Sequence, residues 1–179
     1  KKLSISIIRP RTLIGQGRLG VFSILFDWIK RNKPIPIIGS GNNLFQMLDI
    51  DDCNEACILA ASKKINDDFN VGAASFSTVR QDLKELIKYT GSSSRLISLN
   101  APIAKTILKT LDILGISPLV DLHYTIADKP YYFDISKAQQ KLGWSPKKSS
   151  LDGLIDAYNW YLQKPNNFGG IHRRDLNQK

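Results

Sequence analysis

Short apolar runs alternate along this chain with longer amphipathic stretches, the rhythm of an α/β protein. Leu3 to Ile8 reads as a strand, and Val21 to Lys30 as a helix apolar on nearly every side, to be buried against other elements or a partner. Ile35 to Ile38 is a second short strand, with Pro36 confining it to an edge. Asp51 and Asp52 open a helix running to about Lys64, its acidic start and its Lys63-Lys64 end both suiting the helix dipole. Phe69 to Val71 is a strand that Gly72 ends. Thr78 and Gln81 form a capping box for a helix with the stripe Val79, Leu83, Leu86 and Ile87. Arg95 to Leu99 is strand-like, and Asn100 caps a helix with Pro102 in its first turn and Gly115 at its stop. Tyr131 to Phe133 is extended. Ser136 and Gln139 make a second capping box before a helix ending at Gly143, and Ser150 starts the last helix, which Pro165 halts.

Composition narrows the picture. The 179 residues are 42% hydrophobic and 23% charged, enough for a real core. No apolar run reaches the roughly 18 residues of a membrane span, and no signal peptide is legible. The net charge of +9 admits an anionic partner. Its lysines and arginines are scattered, however, without the block that marks a nucleic-acid arm, so no nucleic-acid or membrane partner is expected. Cys53 and Cys57 lie on one helix face, but His123 and His172 are far off and no zinc spacing exists. Both are expected to be buried free thiols, in keeping with a cytoplasmic protein, and no metal site is expected. The only Met is Met47, and the chain opens just before a strand, which leads to the expectation of a longer protein with further sequence upstream.

Gly15-Gln16-Gly17-Arg18-Leu19-Gly20 matches G-x-G-x-x-G, the dinucleotide fingerprint. Two tests count against it. Arg9 to Ile14 separates the expected strand from Gly15, whereas the true motif begins at the strand end. The ribose-binding acid, expected about 20 positions on, has no Asp or Glu to serve it between Pro34 and Gly41.

The neighbouring residues point elsewhere. Arg9-Pro10-x-Thr12-x-x-Gly15-x-Gly17 resembles the R-P-x-N-V-x-G-P-G segment of extended short-chain dehydrogenases, the NAD-dependent epimerase/dehydratase family. In order there follow Pro34-Ile35-Pro36-Ile37-Ile38-Gly39-Ser40-Gly41, similar to "p-i-p-i-x-G-d-G", and Leu48-Asp49-Ile50-Asp51-Asp52 with Ala56, similar to "f-v-h-V-d-D-x-x-x-A". Phe69-Asn70-Val71-Gly72 resembles "y-N-v-g". Asp134-Ile135-Ser136-Lys137-Ala138, then Leu142-Gly143-Trp144-Ser145-Pro146, resembles "D-x-s-K-A…L-G-W-x-P". Five such segments in order cover nearly the whole chain, but only the carboxyl-terminal half of the family's length.

The resemblance implies the C-terminal part of a Rossmann-like doubly wound sheet plus a small mixed α/β substrate-binding region over 1–165, with a flexible tail over 166–179. It implies NAD or NADP bound mainly by an upstream half that also carries the Tyr-x-x-x-Lys acid/base pair. No Tyr here has Lys four residues on, so no catalytic residue is expected in this chain. Pro10, Arg11, Thr12 and Leu13 would pass the cofactor, and Thr12, Gly17, Arg18, Leu19, Phe22, Phe45 and Gln46 would face the substrate. That substrate is a small molecule, possible candidates being nucleoside diphosphate sugars, and a homodimer is expected. Where family members often carry Arg after G-d-G, this chain has Phe45-Gln46; where a second Arg often precedes "D-x-s-K-A", it has His123 to Lys129. Losing both bidentate forks weakens diphosphate recognition. A non-catalytic anion- or protein-binding module with the same fold is the alternative. If sheet neighbours lie upstream, the isolated chain should be poorly stable or self-associate.

Overall fold

A computed structural model describes residues 3–115 and 121–163. In chain order its elements are β1 (Ser6–Pro10), β2 (Thr12–Ile14), α1 (Phe22–Lys30), β3 (Ile35–Ile38), β4 (Met47–Asp49), α2 (Ile50–Lys63), β5 (Asp67–Val71), α3 (Val79–Thr90), β6 (Leu96–Leu99), α4 (Ala101–Ile113), α5 (Asp121–Ile126), α6 (Ser136–Leu142) and α7 (Ser150–Gln163). They fall into two compact units. The first is drawn from the residues up to 19, 44–77 and 131–157; the second from 20–43, 78–130 and 158 onward. The tail expected over 166–179 lies outside the described residues.

Every strand pair is parallel. In the first unit β1 pairs with β5, Ser6 opposite Asp67 through Pro10 opposite Val71, and β2 pairs with β4, Thr12 opposite Met47. The core beside them comprises Leu48, Ala56, Phe69, Val71, Leu142 and Trp144 among others. In the second unit β3 pairs with β6, Ile35 opposite Leu96, and Pro36 is exposed, as an edge proline should be. Phe26 there packs edge-on against Tyr158, ring centroids 5.4 Å apart, and is fully buried.

Most caps follow the sequence. Thr78 accepts from the Gln81 amide at the start of α3, and Asn100 accepts from the Ile103 amide at the start of α4. Gly143 ends α6 in the left-handed conformation at φ +61°, and Trp144 turns into the core with its indole N–H donating to the Asp52 carbonyl at 2.9 Å. This is why the L-G-W segment needs no chemistry.

Three local readings are corrected. The box expected at Ser136 and Gln139 does not form, because Ser136 lies inside α6 and gives its amide and hydroxyl to Asp134. The last helix begins at Ser150, as the residues indicate, and is capped by a reciprocal pair in which Asp152 accepts from Ser149 and Ser149 from the Asp152 amide. Ser150 is thereby released to accept from the Met47 amide. The acidic pair Asp51-Asp52 lies in the first turn of α2, as expected, and the cap itself is Asp49, which accepts from the Asp51 amide at 2.9 Å. Of the two thiols only Cys53 is buried; Cys57 is exposed.

The third correction bears on the glycine loop. The first strand is not Leu3 to Ile8, nor is Arg9 to Ile14 a spacer: strand pairing runs through Ser6–Pro10 and Thr12–Ile14, directly up to Gly15. Polar residues are tolerated because they face solvent or partners, Arg9 reaching Asp68 at 2.6 Å. At Arg11 the chain leaves β5, its amide still donating to the Val71 carbonyl, and passes to β4. Ile5 and Ile7, two apart and on one face of this segment, are exposed. Among the described residues, no helix is long and apolar enough to cross a membrane.

Candidate substrate-side site

The strand now found before Gly15 removes one argument against a dinucleotide fingerprint, so the loop must be judged by its geometry. Arg18 donates its amide to the Gly15 carbonyl at 3.1 Å, closing a tight turn. Gly15 has φ +152°, and a Cβ there would meet the Ile50 side chain at 2.6 Å. The first glycine thus serves packing against α2, not a pyrophosphate. The acid at the end of the strand beside β2 is Asp49, but it caps α2 and receives the Lys148 ammonium at 3.1 Å. Gly17 has open space around it, Gln16 and Arg18 are exposed, and Leu19 is buried. The described loop is therefore no cofactor cradle.

Along Pro10 to Leu13 the backbone offers little to a cofactor either. Pro10 has no amide proton, and the Arg11 amide is spent on Val71. Thr12 and Leu13 are half-buried. What the stretch does contribute is the Arg11 side chain. It is 9% exposed, and its guanidinium carbon lies 3.3 Å from the centre of the Tyr131 ring and 3.8 Å from that of Phe133. Side chains two residues apart on an extended segment project from one face roughly 7 Å apart. That is the thickness of a planar ion with a ring on either side. Tyr131 is fixed by donating its amide to the Leu44 carbonyl and accepting from the Gln46 amide, and its ring stacks on Phe45 at 5.7 Å.

Gln46 is 1% exposed and wholly committed: its side chain donates to the Ala73 carbonyl at 2.7 Å and accepts from the Phe133 amide at 2.8 Å. It also lies where a Cβ on residue 72 would stand, which is why that position is glycine. Gln46 is accordingly a brace for the Phe133 segment, with nothing left for a substrate phosphate. Of the residues selected from the sequence, Arg11, Phe45 and Gln46 thus converge on Tyr131 and Phe133. Gly17, Arg18 and Leu19 sit in the loop of the same unit, whereas Phe22 belongs to the second unit, where it stacks on Phe26 at 6.4 Å.

Sequence reasoning missed Tyr131 and Phe133 as site residues. The available signal was three aromatic residues in a row just before Asp134.

The neighbouring charges are paired off. Lys137 bridges Asp67 at 2.5 Å and Asp68 at 3.1 Å, and Lys141 reaches Asp67 at 2.7 Å. The two lysines hold the Asp67 carboxyl well below the usual carboxylate range, while Asp67 and Asp68 raise the Lys137 ammonium. Lys148 joins Asp49 and Asp156. Much of the excess positive charge in this unit is therefore consumed locally. In the second unit a groove lined by Gly39, Ser40, Asn42, Arg80, Ser98 and Asn100 contains none of the residues selected from the sequence. No group of His, Cys, Asp and Glu suited to a metal occurs among the described residues.

Comparison with known proteins places this geometry. The family model of the NAD dependent epimerase/dehydratase family matches residues 1–72. The chain is 44% identical over 161 residues to the uncharacterized protein y4nG of Sinorhizobium fredii, covering 89% of this chain and 40% of that protein. It is 26% identical over 136 residues to a dTDP-glucose 4,6-dehydratase of Haemophilus influenzae, covering 73% of this chain and 36% of that enzyme. Among solved structures, the UDP-glucose 4-epimerase of Thermotoga maritima, determined with UDP-glucose, superposes with a TM-score of 0.65 at 26% identity, over 90% of this chain and 47% of that one. The chain spans less than half the length of each of these proteins.

Proposed function

We propose that this chain, whose residues 1–72 match the family model of the NAD dependent epimerase/dehydratase family, is the substrate-side portion of an NAD(P)-dependent nucleotide-sugar epimerase or dehydratase. The observation that carries this reading is that nearly the whole chain takes the fold of one half of a UDP-glucose epimerase. In it, the cofactor's redox chemistry and the tyrosine acid/base belong to sequence upstream of residue 1. The cofactor, when bound, accepts and returns a hydride. This chain's part is to flank it with Pro10 to Leu13 and to position the sugar nucleotide. Thr12, the loop residues Gly17, Arg18 and Leu19, and Phe45 contribute to the substrate side from the first unit, and Phe22 contributes from the second. Gln46 acts through Phe133 as a positioning residue. The protein works as a homodimer in the cytoplasm.

The test is purification of the natural-length protein and measurement of bound nicotinamide, together with thermal shifts on UDP-glucose and dTDP-glucose. Retained NAD(H) or NADP(H) and a shift with a sugar nucleotide are expected; uptake of neither would sink the reading. The internal commitment of Gln46 favours one second reading, a module of the same fold that binds an anion without turnover. It predicts binding with no change in the sugar recovered afterwards.

A further inference from the structure

Arg11 is a permanently charged group that is nine-tenths buried and has no ion pair among the described residues. Its Nε is sealed from solvent and lacks any hydrogen-bond partner. The rings of Tyr131 and Phe133 cover the planar faces of the ion, and cation–π attraction holds it there, but rings supply nothing to its N–H edge. A buried donor left without an acceptor is costly, and a charged one more so. The other half-buried cation among the described residues of this unit, Lys148, has two carboxylates. Arg11 alone is held by aromatic faces with its hydrogen-bonding edge unmatched. Such a fork fits a planar carboxylate or a phosphate bidentately.

We propose that Arg11 is a specificity residue of the substrate site, its N–H edge taking a pair of anionic oxygens from the bound sugar nucleotide. This rests on the functional reading above, because it needs Pro10 to Leu13 to border the ligand. Two sources share the chemistry, a carboxylate on the sugar and the diphosphate itself.

The experiment uses the natural-length protein and measures dissociation constants for UDP-glucuronate, UDP-glucose and UDP in the wild type, Arg11→Met and Arg11→Lys. A carboxylate contact weakens UDP-glucuronate alone in Arg11→Met, by roughly ten- to a hundredfold. A diphosphate contact weakens all three equally. Arg11→Lys keeps the charge but not the fork, and recovers only part of the loss. Unfolding temperature is read alongside. With no ligand bound, Arg11→Met is at least as stable as wild type, so the affinity loss is not a folding defect. Unchanged affinities in a folded Arg11→Met protein overturn the proposal and leave the functional reading standing. If the wild type binds none of the three ligands, the reading falls and takes the proposal with it.

Discussion

Two cations of the first unit make an instructive pair. Lys148, 31% exposed at its side chain, sits between the Asp49 and Asp156 carboxylates at 3.1 and 2.9 Å. Despite a desolvation penalty that works against the charge, those two partners raise its ammonium well above the ordinary lysine value. Arg11 is more deeply buried and has aromatic faces in place of carboxylates. The first arrangement is complete in itself: it joins the cap of α2 to α7. The second is incomplete. A fold that matches its buried charges in one place and leaves one unmatched a few residues from a predicted binding loop marks where an outside group belongs.

The contrast can be tested in order of expected effect. Asp52 is 3% exposed and accepts from the backbone amides of Lys147 and Lys148. Asp52→Ala strands both donors beside the core and should cost about 3 kcal/mol in chemical denaturation. Lys148→Met leaves Asp49 its helix cap but removes its counter-charge; discounted for the partial exposure of Lys148, the loss is about 1 kcal/mol in the same assay. Arg11→Met should cost nothing and is expected to gain up to about 1 kcal/mol, since it removes a buried charge that no carboxylate offsets. A loss of about 1 kcal/mol or more would make Arg11 a structural residue like Lys148.

The smallest effect concerns the thiols. Burial, then the neighbouring Cys57, pushes the Cys53 thiol up to about 11 from 9.0. At neutral pH a thiol reagent should therefore modify one cysteine quickly, and Cys57→Ser should abolish that fast phase. Because the folded state raises this pKa, its contribution to stability is whole below about pH 9 and is lost as pH rises toward about 11. Equal labelling of both thiols would refute the burial of Cys53.

The parts of this molecule legible in the sequence were those decided by neighbours in the chain. The caps at Thr78 and Asn100, the stop at Gly143 and the edge character of Pro36 rest on local geometry, and each appears where the residues indicate. The misreadings share the opposite cause. β4 is a three-residue strand defined by pairing with β2, and the strand character of Thr12 to Ile14 exists only because β4 lies alongside. Short α5, at Asp121–Ile126, carries no clear periodic signal. In the site, Arg11 and Gln46 could be selected by their place in family-like segments, but not their roles. Arg11 is separated from Tyr131 by most of the chain, and Gln46 from its partner Phe133 by 87 positions.

Gln46 also constrains what this lineage can become. Its amide ties the Ala73 carbonyl to the Phe133 amide, and its bulk fills the space that a side chain on Gly72 would need. An arginine at 46, of the kind relatives often use near this point, would arrive with no room and would cut both ties at once. Residues 46 and 72 therefore have to change together, and any change in what this protein recognises has its easier route through Arg11.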